Sequence, residues 1–168
     1  MKPHLIIIGT SHRLQTGHRC YSSEQQANFR KLIEQTVKKY RVKFIAEEMS
    51  EDCLPSYGVT ETIGKQVATK KVIRHQYVDL TDAERTTFKI DRVSLHQTGQ
   101  SAKLTGVQFV TLEKFVGELR ECIWLTRILD VNRWPALFIC GANHGPRVEH
   151  LFNSIGKFTV IETIDYAP

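Results

Sequence analysis

The sequence predicts one α/β domain of three layers over residues 1–168, with a mainly parallel, five-stranded sheet between two layers of helices. Short apolar segments of the kind that form buried parallel strands alternate with segments whose apolar residues recur at helical spacing. A chain of 168 residues buries an adequate core as one domain and is short for two. The expected arrangement is Rossmann-like, with strand order 3-2-1-4-5.

The five predicted strands are short and mostly apolar. The first covers residues 5–8, is apolar on both faces and stops at Gly9, as a central parallel strand does. The others follow in chain order at residues 41–46, 76–80, 136–140 and 158–161.

Helices are predicted between these strands from the spacing of apolar residues. They cover residues 23–40, 60–73 and 112–131, a segment that opens at Thr81 and a segment that opens at Gly145. Thr81 and Glu84 have the spacing of a capping box. The helix over 112–131 is expected to bury its apolar side, which comprises Leu112, Phe115, Val116, Leu119, Cys122 and Ile123.

Residues 90–111 combine glycines with many polar residues and show little periodicity. We therefore predict an irregular excursion there that serves as a lid over the site.

Composition narrows the classes of function. The chain carries a net charge of +5, with 41% hydrophobic and 24% charged residues, which is typical of a folded domain. Basic residues are spread over both halves, so a nucleic-acid partner is disfavoured. No apolar run approaches the ~18 residues of a membrane span, and no secretory signal is visible. We expect a cytoplasmic protein without a membrane partner, whose four cysteines are free thiols.

The same four-residue pattern follows two of the predicted strands. The segment 9–12 reads Gly-Thr-Ser-His after the first strand, and 141–144 reads Gly-Ala-Asn-His after the fourth. Ligands of doubly wound sheets bind in the crevice at the carboxyl ends of the strands. A lone loop histidine is more often structural, but their shared placement predicts that His12 and His144 face one another in this crevice.

Carboxylates are expected at the same edge of the sheet. Glu47 and Glu48 follow the second strand, and Asp79 lies near the end of the third. Adjacent residues of an extended strand point to opposite sides, so one glutamate enters the crevice, and the sequence leaves open which one. Two histidines with a carboxylate can hold a divalent metal or perform acid–base chemistry.

An arginine on the long predicted helix is the expected contact for negative charge on a substrate. Arg120 and Arg127 lie about 20° apart on a helical wheel and so share one face. An arginine at the margin of an apolar stripe often covers apolar surface with its stem, which is the alternative for Arg127. Arg85 and Arg92 are rival candidates near the third strand.

The two Gly-x-x-His motifs, the glutamate pair and the helix arginine resemble the TIKI/TraB group, which is related to the erythromycin-esterase-like and ChaN-like proteins. The resemblance covers residues 4–161 approximately, and that group includes metal-dependent peptidases, esterase-like hydrolases and a haem-iron-binding protein. It implies these catalytic residues: His12, Glu47, Glu48, Arg120 and His144. It also implies Mn, Co or Zn as the metal, with these ligands: His12, Glu47 and His144.

Two functions from different classes remain open. The first is a peptidase- or esterase-like hydrolase of a small-molecule or peptide substrate, in which the histidines and a glutamate bind a divalent ion or polarise water. In it, Arg120 stabilises developing negative charge, and Ser11 is a weaker candidate nucleophile. The second is a non-catalytic α/β module that binds a nucleotide, an anion or a metal in the same crevice. Dinucleotide binding is disfavoured because Gly-x-Gly-x-x-Gly does not follow the first strand.

Overall fold

The computed structural model describes residues 2–90, 105–156 and 159–168. Its strands are β1 (His4–Thr10), β2 (Phe44–Glu47), β3 (Arg74–Tyr77), β4 (Ala136–Gly141) and β5 (Thr159–Asp165). Its α-helices are α1 (His12–Gln15), α2 (Ser23–Tyr40), α3 (Ile63–Lys71), α4 (Asp82–Thr87), α5 (Gly106–Val131) and α6 (Gly145–Ser154). Two 3₁₀ segments cover Glu51–Tyr57 and Ala142–His144.

All five strands are parallel and form one sheet, which confirms the α/β class. The predicted strand order 3-2-1-4-5 is wrong, because the observed order is 3-2-4-1-5. Ala136 at the start of β4 is in register with Leu5 of β1 on one side and Phe44 of β2 on the other. Both β1 and β4 are apolar on two faces, so hydrophobicity alone could not decide which of them pairs with β2.

The core lies on both faces of this sheet, as alternation along each strand requires. Leu5 and Ile7 of β1 belong to one buried cluster, which includes Trp124 and Ile128 of α5 and residues of α6. Neighbouring β1 side chains, such as Ile8, belong to a second cluster formed with α2 and α3. Helices therefore cover both faces of the sheet.

Several element boundaries differ from the sequence prediction for local reasons. The sequence predicts Arg41 in a strand, but this residue caps α2 in the left-handed region with φ 53°. β3 ends at Tyr77, earlier than predicted, and the chain then continues beside the segment after β2, with the Val78 N–H donating to the carbonyl of Glu47 and the Asp79 N–H to that of Met49. Residue 158 lies outside the described residues, and β5 continues to Asp165.

The long helix α5 begins earlier than predicted and buries a different face. Thr105 and Gln108 form a capping box that starts the helix at Gly106, so residues 106–111 are helical and not irregular. The rest of the predicted lid, residues 91–104, lies outside the described residues. Phe115, Leu119 and Cys122, which we expected inside, are exposed, and the buried apolar residues of α5 are Val116, Trp124, Leu125 and Ile128.

This difference has a simple origin. The second half of α5 packs on the sheet through Trp124 and Ile128, which are fully buried. In the first half Val116 is buried, but Val107, Val110 and Phe115 are 79%, 64% and 61% exposed. Within the described ranges, no helix is long and apolar enough to cross a lipid bilayer.

We expect Ile128→Ala to lower the free energy of unfolding by about 2–5 kcal/mol, because it opens a cavity between α5 and the sheet. Phe115→Ala, on the exposed side of the same helix, should change it by about 0.5 kcal/mol or less. Urea unfolding of both variants measures the difference, and equal losses would mean that the assigned buried face is wrong.

Candidate functional site

The two Gly-x-x-His segments meet because β1 and β4 are hydrogen-bonded neighbours, with Thr10 in register with Gly141. His12 then opens α1, and His144 is the residue before α6. The Nε2 atom of His12 lies 3.5 Å from Oε2 of Glu48, and Nε2 of His144 lies 3.6 Å from Oε1 of the same residue. The structure thus brings both histidines to one carboxylate at the carboxyl edge of the sheet.

The glycines of the two motifs allow this close approach. A Cβ on Gly141 would lie 3.3 Å from Cδ2 of His144, 3.4 Å from Oε2 of Glu48 and 3.5 Å from Nε2 of His12. A Cβ on Gly9 would lie 3.1 Å from Cα of Ala142 in the other motif. Gly141 has φ −59°, which any residue can adopt. Its lack of a side chain therefore matters for space and not for a special backbone turn.

Glu48 is the glutamate that enters the crevice. Its side chain is 1% exposed, and both of its oxygens have donors. The Gly141 N–H donates to Oε2 at 2.8 Å, and Nη2 of Arg120 donates to Oε1 at 3.3 Å. A buried carboxylate needs this compensation, because an unpaired one is costly.

Glu47 lies in a separate buried cluster. One of its oxygens, Oε1, is 2.8 Å from Nε2 of His75 and accepts from the hydroxyl of Thr62, which caps α3. A Cβ on Gly64 would lie 2.6 Å from the Glu47 carboxyl carbon, so that glycine makes room for the carboxylate. The structure does not bring Glu47 to His12 and His144, because adjacent strand residues point apart. The expected metal ligand set of His12, Glu47 and His144 is therefore not assembled.

Arg120 connects Glu48 to a second buried carboxylate, Asp79. Its Nε and Nη2 donate to Asp79 at 3.1 and 2.6 Å, and Arg85 and the indole N–H of Trp124 donate to Asp79 at 2.5 and 2.9 Å. Burial acts to raise the pKa of Asp79, but the hydrogen bonds and charges of Arg120 and Arg85 outweigh it and lower that pKa. Burial likewise acts to lower the pKa of Arg120, and Asp79 and Glu48 outweigh it and raise that pKa.

The other candidate arginines that the structure describes do not contact Glu48 as Arg120 does. Arg127 donates to the backbone carbonyls of Val78 and Asp79 and pairs with Glu84, so it holds the chain after β3. Arg85 lines the crevice beside Arg120. Arg92 lies outside the described residues.

The sequence analysis missed Glu121. This residue is 3% exposed, and its Oε1 lies 2.8 Å from Nδ1 of His144, while Nη2 of Arg147 lies 3.4 Å from its other oxygen. A carboxylate on one imidazole nitrogen fixes the ring orientation and tautomer. One sequence signal was available, since Glu121 precedes Trp124 by three positions and Leu125 by four, and so lies on the buried face of α5.

The pKa of His12 is raised above its ordinary value of 6.5. The close approach of the Glu48 carboxylate, whose Oε2 lies 3.5 Å from Nε2, is the largest cause, burial opposes it, and the charge of Glu48 raises the pKa further. Asp79 adds a smaller increase and Arg120 a decrease.

Two cavities meet at His12. One, of about 340 Å³, is lined by His12, Glu48, Met49, Ser50, Cys53, Tyr57, Asp79, Asp82, Arg85 and Arg120. The other, of about 300 Å³, is lined by Thr10, Ser11, His12, Gly141, Ala142, Asn143 and His144. The crevice therefore has a charged side, near β2 and β3, and a side between β1 and β4 whose walls contain no Asp, Glu, Lys or Arg.

Local contacts account for the candidate nucleophile Ser11 and for His18, which lies in the loop after the first motif and could reach the site from its sequence position. The Ser11 hydroxyl caps α1 by accepting from the Leu14 N–H and lies 2.8 Å from the hydroxyl of Tyr21. Nδ1 of His18 accepts from the Cys20 N–H, and His18 lines a separate cavity near Tyr57.

A divalent metal was expected with these residues, and the donor types suit one. As they stand, however, the residues do not fit it: Glu48 already accepts from Gly141 and Arg120, and the Arg120 cation lies beside it. Across the part of the chain that the structure describes, no group of three or more His, Cys, Asp or Glu is arranged to hold a metal ion.

Comparisons with protein-family models, with curated proteins and with solved structures found no match to this chain. The resemblance to the TIKI/TraB group therefore stays a prediction that depends on the short motifs alone.

We expect the imidazole of His12 to titrate above 6.5, and Glu48→Gln to lower its pKa, because Glu48 is the main cause of the increase. Since the pKa is raised on folding, protonation of His12 contributes stability below pH 6.5 that is lost as pH rises through the folded-state pKa. NMR titration of the ring protons measures the pKa, and urea unfolding across this range measures the stability. A His12 pKa at or below 6.5 would contradict the assignment.

Proposed function

We propose that this chain is a hydrolase that activates water between His144 and His12 and cleaves an ester or amide of a small molecule or peptide. The observation that carries the proposal is the convergence of both Nε2 atoms on Glu48, at 3.5 and 3.6 Å. Paired titratable groups in a crevice at the carboxyl ends of parallel strands are the common basis of acid–base catalysis in α/β folds.

His144 is assigned as the general base. Glu121 accepts at Nδ1, so the proton of the neutral ring resides there, and Nε2 is left with its lone pair. A water molecule in the crevice gives its proton to that Nε2 while its oxygen attacks the carbonyl carbon of the substrate.

His12 is assigned as the general acid, because its raised pKa keeps the ring protonated to a higher pH than in an ordinary histidine. When the tetrahedral intermediate collapses, the bond between the carbonyl carbon and the leaving group breaks, and Nε2 of His12 supplies the proton to that group. His144 then releases its proton to solvent and His12 regains one, which restores both rings.

Glu48 and Arg120 are assigned as positioning residues. The Glu48 carboxylate faces both catalytic rings, and Arg120 holds it from Oε1 while being oriented by Asp79. This differs from the expectation that Arg120 contacts the substrate directly, because two of its nitrogens are already engaged with buried carboxylates.

A non-catalytic binding module is the second candidate. The feature that favours it is the charged cavity of about 340 Å³, which Arg85 and Arg120 help to line and which could hold a polar ligand. Such a module would bind a nucleotide or an anion in titrations without any turnover of esters, amides or phosphate esters.

We expect His12→Gln, Glu48→Gln and His144→Gln each to lower kcat/KM by about 10²–10⁴-fold, because each removes part of one proton-transfer system. The His12→Gln/His144→Gln double variant should be little worse than either single variant. The assay uses wild type on a panel of p-nitrophenyl esters, amino-acid p-nitroanilides and p-nitrophenyl phosphate. Glutamine is chosen at position 48 because truncation to alanine would leave the partly buried Arg120 without one of its partners.

His150→Gln, at an exposed position on α6, is the matched histidine control and should keep wild-type kcat/KM. Glu47→Gln separates the two glutamates and is expected to change stability more than turnover, since Glu47 pairs with the buried His75. Full activity of both single histidine variants would show the shared-site mechanism to be wrong.

The metal-free scheme predicts that dialysis against EDTA leaves turnover unchanged and that added Mn²⁺, Co²⁺ or Zn²⁺ does not raise it. The metal-dependent scheme implied by the family resemblance predicts the opposite, because a chelator would remove the Lewis acid that activates water. Metal analysis of protein purified without a polyhistidine tag, together with this assay, decides between the two schemes.

A further inference from the structure

Buried polar atoms without a partner are concentrated at the junction of β1 and α1. In the ranges that the structure describes, five such side-chain atoms occur, and they are Thr10 Oγ1, His12 Nε2, both polar atoms of Gln15, and Glu47 Oε2. Folded proteins rarely leave buried donors unpaired, since each costs free energy. Four of the five atoms lie within residues 10–15.

Two of these atoms belong to residues that line the same cavity. Thr10 and His12 both line the side of the crevice between β1 and β4, together with Gly141, Asn143 and His144. Thr10 is 1% exposed and lies beside Gly141 in the sheet register. The neighbouring Ser11 hydroxyl is already bonded to Tyr21 and to the backbone, so it does not compete for a ligand.

We propose that the Thr10 hydroxyl binds the carbonyl oxygen of the scissile ester or amide and stabilises the oxyanion that forms when water attacks. The inference rests on the proposed hydrolase function and adds the residue that holds the reacting oxygen. His12, whose Nε2 lies 3.5 Å from Oε2 of Glu48, then faces the leaving group from the same cavity.

The surroundings of Thr10 select a neutral scissile group. The walls of this cavity contain no Lys or Arg, and the Glu48 carboxylate lies within 3.5 Å of His12. A dianionic phosphate ester would lie close to the Glu48 carboxylate here, and the single positive charge of a protonated His12 would not balance both. A neutral carbonyl becomes negative only in the transition state, where a positioned hydroxyl donor is most effective.

The test replaces the Thr10 hydroxyl with a methyl group and keeps the shape of the side chain. Thr10→Val should lower kcat/KM by about 10²-fold, mainly through kcat, because the bond strengthens in the transition state. Thr10→Ser keeps the donor and should retain most of the activity. A phosphonate analogue of the best ester substrate, which mimics the tetrahedral oxyanion, should lose affinity for Thr10→Val in proportion to kcat/KM, while KM changes little.

Stability separates this role from a structural one. Removing an unpaired buried hydroxyl should leave the urea midpoint of Thr10→Val unchanged or higher. Thr36→Val, at a buried threonine of α2, is the matched control for the substitution and should keep wild-type kcat/KM.

The outcomes distinguish the two proposals. If the histidine variants are inactive but Thr10→Val keeps full activity, the assignment of Thr10 is overturned and the hydrolase proposal stands. Turnover of the phosphate ester alone would likewise overturn the assignment of Thr10 and leave a hydrolase. If wild type turns over no member of the panel, both proposals fall.

Discussion

The burial of the Glu48 carboxylate is the constraint on which the whole edge of the sheet depends. A charge that is 1% exposed is stable only where hydrogen bonds and opposite charges replace its water. Gly141, Arg120, His12 and His144 supply that compensation, and they come from β4, α5 and the segments that follow β1 and β4. One carboxylate therefore ties together parts of the chain that are far apart in sequence.

The strand order makes this convergence possible. Because β4 lies between β2 and β1, the Gly141 N–H donates to Glu48 at the end of β2, and His12, which follows β1 on the other side of β4, reaches the same carboxylate. The lack of a side chain at position 141 then lets the two imidazoles and the carboxylate close over the backbone. In the order that we predicted, β1 would have separated Glu48 from the second motif. Topology and the glycine thus act together to form the site.

The features that could be predicted from the sequence are those that depend on short, local segments. The sequence identified the five parallel strands, both Gly-x-x-His motifs and the glutamate pair, because apolar runs and chain-order placement carry those features. It did not predict that β4 lies beside β2. Because β1 and β4 are equally apolar, their sequences do not show which of them pairs with β2, and the packing of α5 is needed to decide. It also missed Glu121, because a single acidic residue on a helix resembles a solvated one until the buried face is known. The choice of Glu48 over Glu47 depended on which helix covers each face of the sheet.

Arg120 is already paired with two carboxylates, and this limits what it can do for a bound ligand. Its Nε and Nη2 are engaged with Asp79 and Glu48, and its guanidinium lies 5.2 Å from the ring centre of Trp124. A substrate anion that bound Arg120 would leave a buried carboxylate without its partner. The free energy lost there exceeds the free energy gained from a new, solvent-exposed ion pair. Negative charge that develops during a reaction is therefore better met by uncommitted neutral donors. Among the described residues, the unpaired Thr10 hydroxyl is such a donor, and Thr10 lies on the other side of His12, where the walls contain no Asp, Glu, Lys or Arg.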